Sequence, residues 1–189
     1  MEIEELNQWL KESDQKEMIY EKEYWHRAWN QYVEESSNYY NVLPAKEAIV
    51  RFISEKNYRE RSHLSGCEEL GVRIKIGDIC FIDFGMSYLN EAGFQHFGIL
   101  LAFYNSKAFV VPMSSNLSSY RQAGSIYHDS GKKHLLRLGK IKGMNKESVL
   151  FLNDAKWINT ARIIDVKAHL DKNSELFREI KSRVKKCLD

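Results

Sequence analysis

GDICFIDFG, residues 77–85, is the strongest structural signal in this chain of 189 residues. Its apolar residues alternate around Asp83 and are bounded by glycines, which is typical of a short strand. EAGFQHFGILL (residues 91–101) and VVPMSSN (residues 110–116) follow and predict the next two strands. In this order, the three stretches predict a small β-barrel with a histidine in a connecting loop and hydroxyl groups at the end of the next strand.

Further short runs of β-branched and aromatic residues, bounded by turn residues, continue to the C-terminal part of the chain. The expected strands are 79–84, 98–104, 109–112, 134–138, 148–152 and 158–166. A tight turn at 105–107 joins the second and third of these, and the polar residues 117–132 predict a long loop. The pattern therefore predicts five or six short strands.

Helical periodicity dominates both ends of the chain. Apolar residues recur at helical spacing from Met1 to about Arg61, with residues 36–41 expected to form a loop. Pro44 suits the first turn of the helix that follows this loop. Apolar residues from Leu176 to Leu188 form one stripe and predict a C-terminal helix.

These patterns predict an α+β fold, a small SH3-like β-barrel with a C-terminal helix and a helical extension in front. The periodicity fades between residues 62 and 71, which predicts a domain boundary there. Residues 1–65 then form an acidic, aromatic-rich helical extension, and residues 72–189 form the barrel domain. Whether the extension is regulatory or merely structural is left open by the sequence.

Charge is distributed unevenly along the chain. Residues 1–40 carry 10 acidic and 4 basic side chains, whereas residues 41–189 carry 16 acidic and 24 basic ones. A basic body suits a polyanionic partner, and solvated helix faces that happen to differ in charge explain the same counts equally well.

Composition and cysteine spacing predict the location of the protein and the groups that it can bind. The N-terminus has no apolar signal segment and no apolar run is long enough to cross a bilayer, so we expect a cytoplasmic protein without membrane association. The three cysteines are far apart and form no CxxC pair, so we expect reduced thiols, no metal site and no cofactor.

Five segments of residues 72–189 together resemble the MazF/PemK family of toxin endoribonucleases. GDICFIDFG is similar to the opening strand of that family, EAGFQHFGILL to its E-Q-G-G-x-R-P loop and the strand behind it, and VVPMSSN to its V-P-x-T-[ST] strand end. MNKESVLFLN (residues 144–153) and ARIIDVKAHL (residues 161–170) resemble two later segments. The resemblance implies the barrel shared by MazF, PemK and CcdB toxins.

The resemblance also implies an activity, which is metal-independent cleavage of single-stranded RNA. In the family the ribose 2′-OH attacks the neighbouring phosphate, and a loop arginine and a strand-end threonine do the work. By position these correspond to His96 and Ser114, while the family's proline after the arginine corresponds to Phe97. A homodimer restrained by a protein or RNA antitoxin is implied as well.

The chemistry of this reaction assigns candidate roles to the residues. A histidine can serve as general base or general acid near neutral pH, so His96 takes one of these two roles. Ser114 would donate its hydroxyl to a phosphate oxygen. The candidate substrate-binding residues are Ser115 and Asn116 as further donors, Arg121, Lys132 and Lys133 as cations, and Gln95 and Tyr120 as base contacts.

Other interpretations stay open at this level. Because the family's arginine is absent, the second hypothesis is a catalytically inactive barrel that binds RNA or protein. A toxin that acts on a topoisomerase is a third possibility, since fold alone does not settle function. For single residues, His96 can be an ordinary surface histidine, and Ser114 and Ser115 can be turn formers.

Overall fold

The computed structural model describes residues 1–14, 16–127 and 131–187. The chain divides into two compact units, Met1–Ile49 and Val50–Asp189. The described residues form a mixed α+β chain with five α-helices and an eight-stranded sheet. The helices are α1 (Ile3–Glu12), α2 (Trp25–Asn41), α3 (Ala45–Arg61), α4 (Leu117–Gln122) and α5 (Glu175–Lys186).

The sheet lies in the second unit and contains every described strand. The strands are β1 (Asp78–Asp83), β2 (Gln95–Tyr104), β3 (Lys107–Ser114), β4 (Ala123–Gly124), β5 (Lys132–Gly139), β6 (Ser148–Phe151), β7 (Lys156–Asn159) and β8 (Ile163–His169). Their order is β4-β5-β6-β3-β2-β1-β8, and β7 pairs with β3 outside this path. All pairs are antiparallel except β4 with β5.

β3 is the central strand, because it pairs with three others. It pairs with β2 from Lys107 to Met113, with β7 over its first half, and with β6 at Met113 and Ser114. β2 and β3 are joined by a turn in which Asn105 adopts a left-handed conformation (φ 52°). This arrangement carries the ends of β2 and β3 to the same corner of the sheet.

Both faces of the central strands are buried, which explains why they read as nearly continuous apolar runs. Ile79 and Ile99 lie in a first core that also contains three residues of α5. Their neighbours Cys80 and Leu100 lie in a second core on the other face. Period-two alternation therefore divides each strand between two cores instead of between a core and solvent.

α5 closes the first core. Phe177, Ile180 and Val184 follow each other at helical spacing and are buried there. The helix starts at an N-cap in which the Ser174 hydroxyl accepts a hydrogen bond from the Phe177 amide at 3.2 Å. The predicted C-terminal helix is confirmed over these residues, and Leu188 lies outside the described part of the chain.

The unit Met1–Ile49 contains α1, α2 and the start of α3. The rings of Trp9 and Tyr24 stack with their centroids 4.3 Å apart, and Ser13 donates to the Trp9 carbonyl oxygen at 2.7 Å. Ala28 is the buried apolar residue of this unit, and its other described apolar side chains are half-buried or exposed. Stacked aromatic rings are therefore among the contacts that stabilise this unit.

Residues 36–41 do not form the predicted loop, and this prediction was wrong. They are the last turns of α2, where the rings of Tyr39 and Tyr40 pack edge to face at 5.5 Å. Serine and asparagine lower helix propensity by only about 0.5 kcal/mol each relative to alanine, and a helix that is already nucleated extends through them. The helix predicted behind Pro44 is confirmed as α3.

Two further predictions in the sheet were wrong in detail. Within the predicted loop 117–132, residues 117–122 form α4, residues 123–124 form β4, and β5 starts at Lys132; residues 128–130 lie outside the described part. The single strand expected at 158–166 is split into β7 and β8 by a 3-10 turn. The Asn159 side chain starts this turn by accepting from the Ala161 amide at 2.8 Å.

No helix within the described residues is long and apolar enough to cross a membrane. The two units divide between residues 49 and 50, within α3, and the boundary expected between residues 65 and 72 stays a prediction. Residues 50–61 of α3 are grouped with the sheet.

Candidate active site at the ends of β2 and β3

His96 and Ser114 lie at the paired ends of β2 and β3. The last β2–β3 pair at this end is Phe97 opposite Met113. His96 precedes Phe97 and Ser114 follows Met113, so one more step of the same antiparallel register sets the two residues opposite each other. Residues in this relation share a face of the sheet, with their Cβ atoms about 4.5–5.5 Å apart. The structure therefore places them at one corner of the sheet, on one face.

The surroundings of His96 favour its neutral form. Its partner in β1 is Ile82, which is fully buried, while the His96 side chain itself still reaches solvent. Desolvation by the atoms around it lowers the pKa of His96 from its ordinary value of 6.5. A neutral imidazole has one nitrogen that can accept a proton, so the site provides a base at neutral pH.

The Ser114 hydroxyl begins the turn that leads into α4. Its oxygen accepts a hydrogen bond from the Asn116 amide at 3.1 Å. The Asn116 side-chain oxygen in turn accepts from the amides of Ser118 and Ser119, at 2.8 and 3.2 Å, and caps α4. Because the Ser114 oxygen is an acceptor in this turn, its hydroxyl proton is available for a ligand. Ser115 is exposed beside it.

Gln95 is bound to α3 and not directed at an open surface. Its Nε2 lies 2.7 Å from the Ser54 hydroxyl oxygen, 3.2 Å from Asp83 Oδ2 and 3.4 Å from the Val50 carbonyl oxygen. A contact of this amide with an RNA base would first have to break these bonds.

These bonds belong to a network around the buried carboxylate of Asp83. Ser54 donates to Asp83 Oδ1 at 2.7 Å and Asn57 donates to Oδ2 at 2.6 Å. The Gly85 amide also donates to Oδ1, at 2.9 Å. The network attaches α3 to the ends of β1 and β2 directly beside His96. The sequence signal for it is a carboxylate inside an apolar strand, which requires partners when it is buried.

Arg137 of β5 is a cation in this region that the sequence reasoning missed. It lies opposite Val149, which lies opposite Ser114, so the same sheet face carries Arg137, Val149, Ser114 and His96 in adjacent strands. With strands about 4.8 Å apart, the Arg137 backbone is about 10 Å from that of Ser114. The signal that could have found it is a lone arginine in the alternating run HLLRLG.

The guanidinium of Arg137 holds α4 in place. Its Nε donates to the Tyr120 carbonyl oxygen at 2.8 Å, and its Nη2 donates to the Arg121 carbonyl oxygen at 2.9 Å. It also lies over the Tyr120 ring, 5.0 Å from the centroid. Burial, and then the negative charge of Glu147, raise the pKa of Tyr120, so its phenol stays protonated. Arg137 thus covers one face of the ring expected to stack on a base.

The other predicted cations lie at varying distances from the corner. The Arg121 side chain is exposed at the end of α4. Lys132 and Lys133 are exposed at the start of β5, four to five residues before Arg137. At about 3.3 Å per residue, the two lysines lie at least ~13 Å along β5 from Arg137, the β5 residue that is level with Ser114 across the sheet. The structure does not bring these two lysines to Ser114.

A second cation that the sequence reasoning missed is Lys156. Its ammonium lies 2.8 Å from Asp154 Oδ1 and 5.9 Å from the centroid of the Phe84 ring. Asp154 also accepts a hydrogen bond from the Ala92 amide, which ties the loop between β1 and β2 to the end of β6. Among the described residues, no group of three or more histidine, cysteine, aspartate or glutamate side chains could hold a metal ion.

Comparison with known proteins gives limited information. No protein-family model matches the chain, and no curated protein matches it. Among solved structures, the chain is similar to the Mycobacterium tuberculosis toxin MazF-mt6, with 10% sequence identity and a TM-score of 0.42. The match covers 59% of this chain and 96% of that one. A likeness of this size identifies neither a family nor an activity.

Proposed function

We propose that this chain is a toxin-type, metal-independent endoribonuclease that cleaves single-stranded RNA by attack of the 2′-OH on the neighbouring phosphate. The observation that supports the proposal is the pairing of Phe97 with Met113, because one further step of this register sets His96 opposite Ser114 on one face of the sheet. With Cβ atoms about 5 Å apart on one face, an imidazole and a hydroxyl can both reach one phosphodiester. The sequence resemblance to MazF/PemK toxins agrees with this chemistry.

In the proposed reaction, His96 is the general base. Its lowered pKa keeps the imidazole neutral, so it can take the proton of the 2′-OH as that oxygen attacks phosphorus. Ser114 donates its hydroxyl to a non-bridging phosphate oxygen, where negative charge increases in the transition state. The bond from phosphorus to the 5′ oxygen then breaks and that oxygen takes a proton from solvent water, which leaves a cyclic phosphate and a 5′-OH end; the proton on His96 returns to solvent.

The SH3-like barrel expected from the sequence is part of the same proposal. β3 exchanges partners along its length, from β7 at its start to β6 at its end, and both faces of the central strands are buried. Such a strongly bent sheet supports an SH3-like barrel. In keeping with the resemblance, we also propose a cytoplasmic homodimer that is restrained by a protein or RNA antitoxin.

The test is cleavage of a mixed-sequence RNA by the purified protein in the presence of a chelator. Products with cyclic phosphate and 5′-OH ends are expected. His96→Ala should lower the rate by at least about 100-fold while the fold is retained, because a positioned general base contributes about 10²–10⁴ in rate. His134→Ala is the matched control, since His134 is exposed on β5, and it should cleave normally. Full activity of His96→Ala would remove His96 from the mechanism.

A barrel that binds RNA or protein without cutting is the second candidate. It is favoured by the observation that Gln95 and Tyr120 are engaged by Asp83 and Arg137, so fewer side chains can position a substrate for reaction. In the same assay, retarded but intact RNA would support this candidate. No effect on RNA at all would favour a different target, such as a topoisomerase.

A further inference from the structure

A second surface with charged and polar side chains lies at the end of β1 that is opposite to His96. It is an open groove of about 460 Å³ between the segment that precedes β1 and the end of β8. The charged and polar residues that line it are Arg73, Lys75, Asp78, Lys167 and His169. β1 runs from Asp78 to Asp83, so this groove is about 17 Å along the strand from the corner that contains His96.

The centre of the groove is a histidine–aspartate pair. Asp78 is 5% exposed, and its Oδ1 lies 2.8 Å from His169 Nδ1. Its Oδ2 accepts a hydrogen bond from the Lys75 amide at 2.8 Å. A buried carboxylate on Nδ1 requires the proton at that nitrogen, which leaves Nε2 of His169 for a ligand. The His169 side chain is 38% exposed, so a ligand can reach it.

The backbone of Gly77 fixes the position of this imidazole. Gly77 has φ 94°, and a Cβ atom there would lie 2.1 Å from the Leu170 carbonyl oxygen and 3.1 Å from His169 Cε1. The His169 ring therefore lies against a glycine for which no larger residue can substitute without displacing Leu170. A ring confined by Gly77 on one side and bonded to Asp78 is preorganised for binding.

The charge of the groove is positive. Arg73, Lys75 and Lys167 are exposed and line the groove together with His169. The Lys167 ammonium has one carboxylate nearby, Asp165 at 3.4 Å, and both groups are exposed, so this pair is weak. The carboxylate of Asp78 is already occupied by His169 and by the Lys75 amide. A ligand therefore meets three cationic side chains and an imidazole.

We propose that this groove binds a phosphate group carried by a nucleotide or by an RNA strand. Cationic side chains are suitable donors to phosphate oxygens, and Nε2 of His169 can accept a hydrogen bond from a ribose hydroxyl. The volume lies in the range of small-molecule sites, so a mononucleotide fits it. The groove shares no residue with the site of His96 and Ser114, and the inference holds whether or not the protein cleaves RNA.

The experiment measures binding to the full chain by calorimetry and by NMR with 15N-labelled protein. The probes are inorganic phosphate, adenosine monophosphate and a short single-stranded RNA. The variants are Lys75→Ala combined with Lys167→Ala, and His169→Gln, which keeps a donor for Asp78 and protects the fold. Lys185→Ala is the matched control, because Lys185 is an exposed cation on α5 outside the groove.

We expect the probes to shift the resonances of Lys75 and His169. The double variant should lose at least about tenfold in affinity, because each charge-assisted hydrogen bond contributes about one power of ten or more. His169→Gln should lose about threefold to tenfold, because the hydrogen bond to its Nε2 is a neutral one. The control should bind as the wild type does. If RNA is the ligand, RNA binds much more tightly than the mononucleotide, and the double variant lowers the salt slope by about 2. Equal affinities identify a nucleotide site instead.

Two results would overturn the inference. One is that no probe shifts His169 or Lys75 at millimolar concentration, and the other is that the double variant binds as tightly as the wild type. His96→Ala should keep the wild-type affinity of the groove. A chain that binds in the groove but does not cut RNA would therefore contradict the proposed nuclease and leave this inference standing.

Discussion

Replacement of Asp83 by alanine should strongly destabilise the unit that contains the sheet. The carboxylate accepts four hydrogen bonds, from Ser54, Asn57, Gly85 and Gln95, and Asp83 is 4% exposed. Truncation removes all four acceptor contacts at once. It also releases the segment of α3 that lies beside His96.

The size of the stability loss depends on which of the four donors can form a hydrogen bond to water once the carboxylate is gone. Asn57 and Gln95 are half-buried side chains that can turn toward solvent, whereas the Ser54 hydroxyl is buried and the amide of half-buried Gly85 is fixed in the backbone. An unsatisfied buried donor costs about 1–3 kcal/mol. Two of them predict a loss of about 3 kcal/mol, which is a large share of a typical 5–15 kcal/mol. At about 2–4 °C per kcal/mol, the melting temperature should fall by roughly 10 °C.

Asp83→Asn should cost less, about 1–2 kcal/mol. The amide oxygen of the new side chain can face the Gly85 amide, which cannot reorient. Its NH₂ group then faces Asn57 and Gln95, whose own amides can flip to present oxygen. The shape is retained and only the charge is lost.

The assay is urea unfolding of the full chain, with the change in midpoint multiplied by the slope m. Asp165→Ala is the control, because Asp165 is exposed and its pair with Lys167 spans 3.4 Å, so its effect should stay within about 0.5 kcal/mol. If Asp83→Ala destabilises no more than Asp165→Ala, the network does not hold α3 to the sheet and the reasoning is refuted.

The other predictions concern three single side chains, His96, Arg137 and Cys80. Since desolvation lowers the pKa of His96, the cleavage rate should rise with pH through a midpoint below 6.5 and then level off; a midpoint above 6.5 in the pH–rate profile would exclude His96 as the base. The same shift makes the folded state lose stability as the pH falls below about 6.5, because the unfolded chain then binds the proton more readily. Arg137→Ala should lower the free energy of unfolding by about 1–3 kcal/mol and loosen α4, because the two hydrogen bonds to its carbonyl groups are lost. Hydrogen exchange of the α4 amides measures the loosening, and unchanged exchange would contradict this role. Burial raises the pKa of Cys80 to about 12. A thiol reagent should therefore modify exposed Cys187 in the native protein and reach Cys80 only after denaturation. Fast labelling of Cys80 in the native protein would be inconsistent with its burial.

Local patterns predicted much of the fold. The alternation around Asp83 and the apolar run behind His96 predicted β1 and β2, because strand periodicity depends on neighbouring residues alone. α4 was missed because its signal is a single capping residue, Asn116, within a polar stretch. The interruption between β7 and β8 was missed for the same reason, since Asn159 starts a turn within an otherwise continuous strand pattern.

The sequence by itself determined the periods of the strands and helices. The structure includes His96 in β2, where the sequence predicted a connecting loop before the strand. Only the tertiary structure decided which distant residues come together. Ser54 contacts Asp83, Asp78 contacts His169, and Arg137 shares a sheet face with Ser114 two strands away. Asp78 and His169 are separated by 91 positions along the chain, and no local pattern links them. Period and propensity act between neighbours in sequence, whereas these contacts depend on how the strands are ordered in the sheet. That order is set by the burial of both sheet faces in two cores, which is a property of the whole packed unit.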